Sequence, residues 1–317
     1  MRRKPIEAVV ADAHTEPSLR RRLQEAASAR RFASDRLGLP RNRSYTSYVD
    51  LGRPYATWNV FATPEFSVDP VTHCFPFAGC VAYVGFFDKE SAEREEKKLA
   101  GQGNDTAIEG SAAYSTLGWF ADPILSSMLH WSDDELDGVI FHELAHQLVY
   151  VGDDTAFNES FATFVQREGL KQWRASRGLA SSGDESDAHD EAFTALVLDL
   201  RERLRALYAR ELDAAAMRAA KADEIEAFRA RYRQRRAAEW KDDAGYDRWV
   251  DAPINNARLV PFGLYDHWVP AFQRLFMQAN GDWTTFYGYV RGLARLSKAA
   301  RDERLDAWLR APSPTAG

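Results

Sequence analysis

VIFHELAHQLVY, residues 139–150, sets two histidines and a glutamate in a stretch otherwise made almost wholly of Val, Ile, Phe, Leu, Ala and Tyr. Burying polar side chains without partners costs ~1–3 kcal/mol each, and an unpaired charge more, so a ligand or a hydrogen-bond network must compensate. On an α-helix, residues four apart lie one turn above each other. His142 and His146 therefore project to one side, where they can share a metal ion. Glu143 comes about 100° further round, within reach of a water beside that ion without being a ligand. Gln147 is the only other polar residue of the stretch. The pattern His-Glu-x-x-His is that of zinc hydrolases, and Zn²⁺ is the expected cofactor.

Working outward, Ser132 and Glu135 form S-x-x-E, a capping box that starts a helix running to about Tyr150. GDDT at 152–155 breaks and restarts the chain, with Asp153, Asp154 or Thr155 as the cap of a second helix over about 156–176. A reversal there returns the second helix alongside the first and presents Glu159 as a third ligand, which leaves a fourth position for water. Asp153 and Asp154 are rival ligands.

Upstream, residues 17–37 predict an amphipathic helix with Leu19, Leu23, Ala27 and Phe32 near one face, stopped by Gly38 and Pro40. YATWNVFAT, CVAYVGFF and TAIEGSAAYST, from about residue 55, read as strands, with a charged surface helix over DKESAEREEKKLAG between the second and third. Downstream, RGLASSGDESD at 177–187 reads as a loop. One long or broken helix follows over 190–236, and two or three more helices over about 264–310. The expected fold class is α+β: a small mixed sheet with the His-Glu-x-x-His helix, then a mostly helical C-terminal part. The expected segments are a helical 1–50 packing on the core, an α+β core at 51–180, a helical 181–311 completing an active-site cleft, and a disordered tail at 312–317.

Composition narrows the function classes. The net charge of −6 argues against a nucleic-acid partner, and the basic run RYRQRR at 231–236 reads as a solvated helix face. No run of ~18 apolar residues is present to span a membrane, and no apolar stretch suited to a secretion signal follows the N-terminal MRRK. Cys74 and Cys80, in HCFPFAGC, either form a disulfide across a turn containing Pro76 and Gly79, suited to an oxidising compartment, or are two buried thiols.

NESFA (158–162) resembles the N-E-G-F-A of zinc aminopeptidases, and His-Glu-x-x-His with a downstream helical glutamate is the gluzincin arrangement. More closely, the chain is similar to the bacterial predicted aminopeptidases, many of them envelope lipoproteins. The similarity rests on LGRPYATWNVFATPEFS (51–67), CFPFAGCVAYVGFF (74–87), AYSTLGWFADPILSSML (113–129), FHELAHQLVYVGDDTAFNESFATFVQREG (141–169) and NNARL (255–259). Two departures stand out. Twelve residues separate His146 from Glu159, fewer than in the large families, and the G-A-M-E-N stretch that grips a free amine is absent.

The resemblance implies a zinc metallopeptidase acting on peptide or protein substrates, with Glu143 as general base. A second donor to the developing oxyanion is expected from GLYDHW, either Tyr265 or His267, with Tyr265 preferred because a phenol donates at neutral pH without first being charged. AYSTLG, with Ala113, Tyr114, Ser115, Thr116 and Gly118, falls where gluzincins place the edge strand that pairs with an extended peptide. The alternative class is an inactive, zinc-stabilised binding or scaffold protein of the bacterial envelope. The resemblance also implies the periplasm or envelope, with a lipid anchor in a longer precursor; if no signal has been removed, the expected place is the cytoplasm.

Overall fold

The computed structural model describes residues 3–75, 79–113, 116, 119–179, 184–240 and 244–310. In chain order it runs β1 (Lys4–Pro5), α1 (Ile6–Ala11), α2 (Pro17–Asp35), β2 (Ser47–Val49), β3 (Thr57–Pro64), β4 (His73–Phe75), β5 (Gly79–Val81), β6 (Tyr83–Phe86), α3 (Lys89–Gly101), β7 (Asn104–Ser111) and β8 (Ile124–Leu125). After a 3₁₀ turn (Ser126–His130) come α4 (Asp133–Leu148), α5 (Thr155–Ser176), α6 (Asp184–Tyr208), α7 (Ala214–Ala238), α8 (Asp247–Asp251), α9 (Asn256–Tyr265), α10 (Val269–Gln278), α11 (Trp283–Ala294) and α12 (Lys298–Arg310).

The class is α+β with a helical C-terminal part, but three small sheets among the described residues replace the single one expected. In the first, β2 pairs antiparallel with β1 and parallel with β8; the second has the order β6-β3-β7; the third is the β4-β5 hairpin. The strand expected to run to residue 116 ends at Ser111. Hydroxyls take over the carbonyls beyond it, Ser127 Oγ donating to Ala112 (2.5 Å) and Ser111 Oγ to Ala113 (2.7 Å). Of the two forms expected over 190–236, one long helix or a broken one, the broken one is found: the break lies between Tyr208 and Ala214, where Asp213 caps α7 by accepting the Ala216 amide. The loop expected at 177–187 gives way to helix at Asp184.

The chain divides into two compact units. The first comprises Met1–Thr57, Gly110–Ser181 and His267–Gly317, the second Trp58–Glu109 and Ser182–Asp266.

In the first unit, α4 starts as the capping box requires: Ser132 Oγ accepts the Glu135 amide (3.2 Å) and the Glu135 carboxylate accepts the Ser132 amide (2.7 Å). It ends at Leu148, two residues before Tyr150. Asp154 is the cap of α5, accepting the Phe157 amide. The intervening turn holds Asp153 at φ 66° and is closed by Asn158, which donates to Val151 O (2.7 Å) and accepts the Val151 amide (2.8 Å). Packing of α5 relies on Gly169, where a Cβ would meet Leu37 Cδ1 at 2.7 Å and Phe141 at 3.1 Å. On the far side of α5, Phe157, Phe161 and Phe164 meet Phe272, Phe276 and Phe286 at ring separations of 5.1–5.8 Å. Each fully buried ring stabilises by roughly 1.5–3 kcal/mol. The expected α2 face is turned: Leu23, Ala26, Ala29 and Ala33 are buried, and Leu19, Ala27 and Phe32 only partly. Arg30 is buried with them because its guanidinium donates to the carbonyls of Pro40, Asn42 and Ser44.

In the second unit, Phe193 lies at the centre of an aromatic cluster, stacked on Tyr246 at 3.7 Å and edge-on to Trp249 and Phe262. Asn255 and Asn256, which open NNARL, tie α9 to the strands. Asn255 caps α9 and donates to Thr106 O; the fully buried Asn256 donates to Asp105 and Glu65 O and accepts from Tyr208. The β4-β5 hairpin sets Cys74 opposite Cys80, and a disulfide joins them.

Candidate metal centre

The one-turn spacing on α4 and the return of α5 bring three side chains together. His142 Nε2 lies 3.1 Å from His146 Nε2 and 3.2 Å from Glu159 Oε2, and His146 Nε2 lies 3.4 Å from the same oxygen. All three are buried, at 7%, 6% and 8% exposure. Their ligand atoms lie within 4.8 Å of one another, so the group can hold a metal ion. Nitrogen and oxygen ligands about 2.0–2.2 Å from a tetrahedral ion stand about 3.3–3.5 Å apart, close to the separations here.

Glu159, rather than Asp153 or Asp154, joins the histidines. The cap of α5 explains Asp154: besides accepting the Phe157 amide, its carboxylate is paired with Arg301, Nε at 2.8 Å and Nη2 at 2.7 Å. Burial by itself would raise the Glu159 carboxyl, but His146 and His142 outweigh it and bring it down to about 2. For His146, burial pulls toward the neutral form, and the carboxylates of Glu159 and Glu143 outweigh it, raising its pKa.

Around the group, the amide of Gln166 meets His142 Nδ1 at 3.1 Å. His146 Nδ1 and Glu143 Oε2 are buried without a hydrogen-bond partner among the described residues. Tyr150, which the sequence reading passed over as the helix end, has its ring 6.3 Å from His146; burial, then Glu159 and Asp153, raise its pKa. Only its apolar surroundings in the sequence hinted at its half-buried place.

Other expected site residues stand differently. The Trp268 amide donates to Ser160 Oγ (3.1 Å), which fastens the turn carrying His267 to the residue after Glu159; the His267 ring lies edge-on to Trp268 at 4.2 Å. Tyr265 closes α9, and its side chain lies outside the described residues. Tyr114, Ser115 and Gly118 also lie outside them. Ala113 and Thr116 belong to no strand. The Thr116 amide and hydroxyl both donate to the buried Asp122 carboxylate (2.9 Å each).

Fold and site together define an α+β protein with a buried two-histidine, one-glutamate group able to hold a metal. The chain belongs to the family described as "Putative aminopeptidase", whose model matches residues 1–305. No curated protein and no solved structure matches it. No described helix is long and apolar enough to cross a membrane.

Proposed function

We propose that this chain is a zinc-dependent peptidase in which His142, His146 and Glu159 hold the ion and Glu143 is the general base. The observation that carries the reading is Glu143: it sits between the two histidines in the sequence, and one of its carboxylate oxygens is buried with no partner among the described residues. A protein keeping zinc for stability alone needs the ligands and has no use for that carboxylate. The donor set, two imidazoles and one carboxylate, is that of hydrolytic zinc sites, and membership of the aminopeptidase family supports a peptide substrate.

Bound there, zinc would polarise the scissile carbonyl and lower the pKa of water toward ~7. Glu143 takes the proton of the attacking water and returns it to the leaving nitrogen as the C–N bond breaks. Tyr265 or His267 is the donor to the carbonyl oxygen as negative charge develops; His267 adjoins Trp268, whose amide donates to Ser160, the residue after Glu159. The Cys74–Cys80 disulfide supports an oxidising compartment, such as the bacterial periplasm, as the place of action.

Profiling zinc-loaded protein against peptides with free and blocked amino termini tests the reading and the exo- or endo-mode together. Glu143→Gln retains size and zinc and should lose ~10²–10⁴ in rate, the range for a positioned general base. Equal rates in the variant would end the assignment, and no cleavage by wild type would favour the scaffold class.

A further inference from the structure

Gln166 lies on α5 two turns beyond Glu159, and its side chain crosses to α4, where Oε1 is 3.1 Å from His142 Nδ1. The opposite nitrogen of that ring, Nε2, faces His146 and Glu159. We infer that Gln166 is a positioning residue: it accepts the Nδ1–H of His142 and thereby keeps the Nε2 lone pair directed at the metal. This rests on the metal reading above.

A neutral imidazole carries one ring proton, and the partner of one nitrogen decides what the other can do. An acceptor at Nδ1 makes Nε2 the ligand and stops rotation of the ring. Glutamine supplies that acceptor without charge, so Glu159 remains the single negative ligand of the group. The path of the side chain is cleared by Gly138, one turn before His142. A Cβ there would stand 3.2 Å from Gln166 Cγ and 3.3 Å from its amide nitrogen, tighter than ordinary contacts, so alanine requires the Gln166 side chain to shift by a few tenths of an ångström. His146 has no counterpart, since its Nδ1 is unpartnered among the described residues. The orientation of the histidine pair is therefore set at His142.

Three variants test this. Gln166→Met keeps the length of the side chain but cannot accept the proton; Gln166→Glu keeps the acceptor; Gly138→Ala leaves Gln166 in place and displaces it. Zinc affinity, measured by competition with a chromophoric chelator, should fall ~10–100-fold in Gln166→Met, the usual loss when a ligand histidine's partner is removed. It should stay near wild type in Gln166→Glu and fall in Gly138→Ala, while the melting temperature of metal-free Gln166→Met stays at the wild-type value. Wild-type affinity in Gln166→Met, or equal losses in Gln166→Met and Gln166→Glu, would overturn the inference. If wild type binds no zinc, the metal reading fails separately. The Gln166 assignment is then decided by NMR of the metal-free protein: a slowly exchanging His142 Nδ1–H that disappears in Gln166→Met supports it, and its persistence there refutes it.

Discussion

Arg301→Met strikes a support of the site rather than the site itself. Arg301 and Asp154 are each 2% exposed; Nε and Nη2 of the guanidinium meet one carboxylate oxygen at 2.8 and 2.7 Å, and Nη1 donates to Leu296 O. The guanidinium also lies over the Phe157 ring, 5.1 Å from its centroid. Removing one partner of a buried pair leaves an uncompensated charge and costs roughly 3–5 kcal/mol. Two contacts remain to Asp154. Lys298 stands 3.7 Å away but is 57% exposed, and such a pair stabilises by at most ~1 kcal/mol. The Phe157 amide still donates. The expected loss is therefore about 3 kcal/mol by urea denaturation followed through tryptophan fluorescence. Asp154→Asn in the same chain removes the stranded charge and preserves the cap, because asparagine caps as well as aspartate. The double variant should thus recover most of the loss, a coupling within the ~0.5–3 kcal/mol seen between residues in contact. Because Asp154 starts the helix that presents Glu159, zinc affinity should follow the same order: wild type and double variant above Arg301→Met. A single-variant loss below about 1 kcal/mol, or a double variant no more stable than the single, would refute the argument that this ion pair anchors α5.

Glu159→Ala should abolish stoichiometric zinc by elemental analysis, since two histidines remain and Asp154 is held by Arg301; zinc retained at one per chain would move the third ligand elsewhere. Asp137, whose Oδ2 accepts the Trp173 indole proton at 2.8 Å, is pushed by burial, and further by Asp133 and Asp134, from 3.8 up to about 7. The folded state therefore keeps this proton longer than the unfolded chain. Stability falls as pH rises from 3.8 to about 7, by ~1.36 kcal/mol per unit and ~4 kcal/mol in all. Asp137→Asn retains the acceptor for Trp173, so it should match wild type near pH 4, exceed it at pH 8, and flatten this part of the profile; parallel profiles would contradict the assignment. Non-reduced protein should show no alkylatable thiols by mass spectrometry, and replacing both cysteines with serine should cost about 2 kcal/mol for so short a loop.

What the sequence showed of the metal group depended on how local each constraint is. His142 and His146 need only helical periodicity, and the capping box at Ser132 fixes where that helix begins. Glu159 needed one more step, a tight reversal. The choice among three carboxylates turned on Arg301, 147 residues from Asp154, which no spacing near the site announces. Ala112 and Thr116 stand outside the strand for a similar reason: Ser127 donates to the Ala112 carbonyl and Asp122 accepts from Thr116, partners that the local sequence does not announce. NNARL could be quoted as a likeness but not explained, since the hydrogen-bond partners of the two asparagines outside α9 come from Pro64, Glu65, Asp105, Thr106 and Tyr208.

Gln166 was the least legible of all, because an uncharged amide in a helix has no signature of its own. A ligand must be a particular kind of atom, which restricts it to a few residue types. The residue that orients a ligand need only be an acceptor at the right distance, a role open to carboxylates, amides, hydroxyls and backbone carbonyls alike. Chemistry therefore constrains the inner residues of this site more tightly than their supports. The supports are found only once α4 and α5 are laid side by side, where the absent side chain of Gly138 is as informative as the side chain of Gln166.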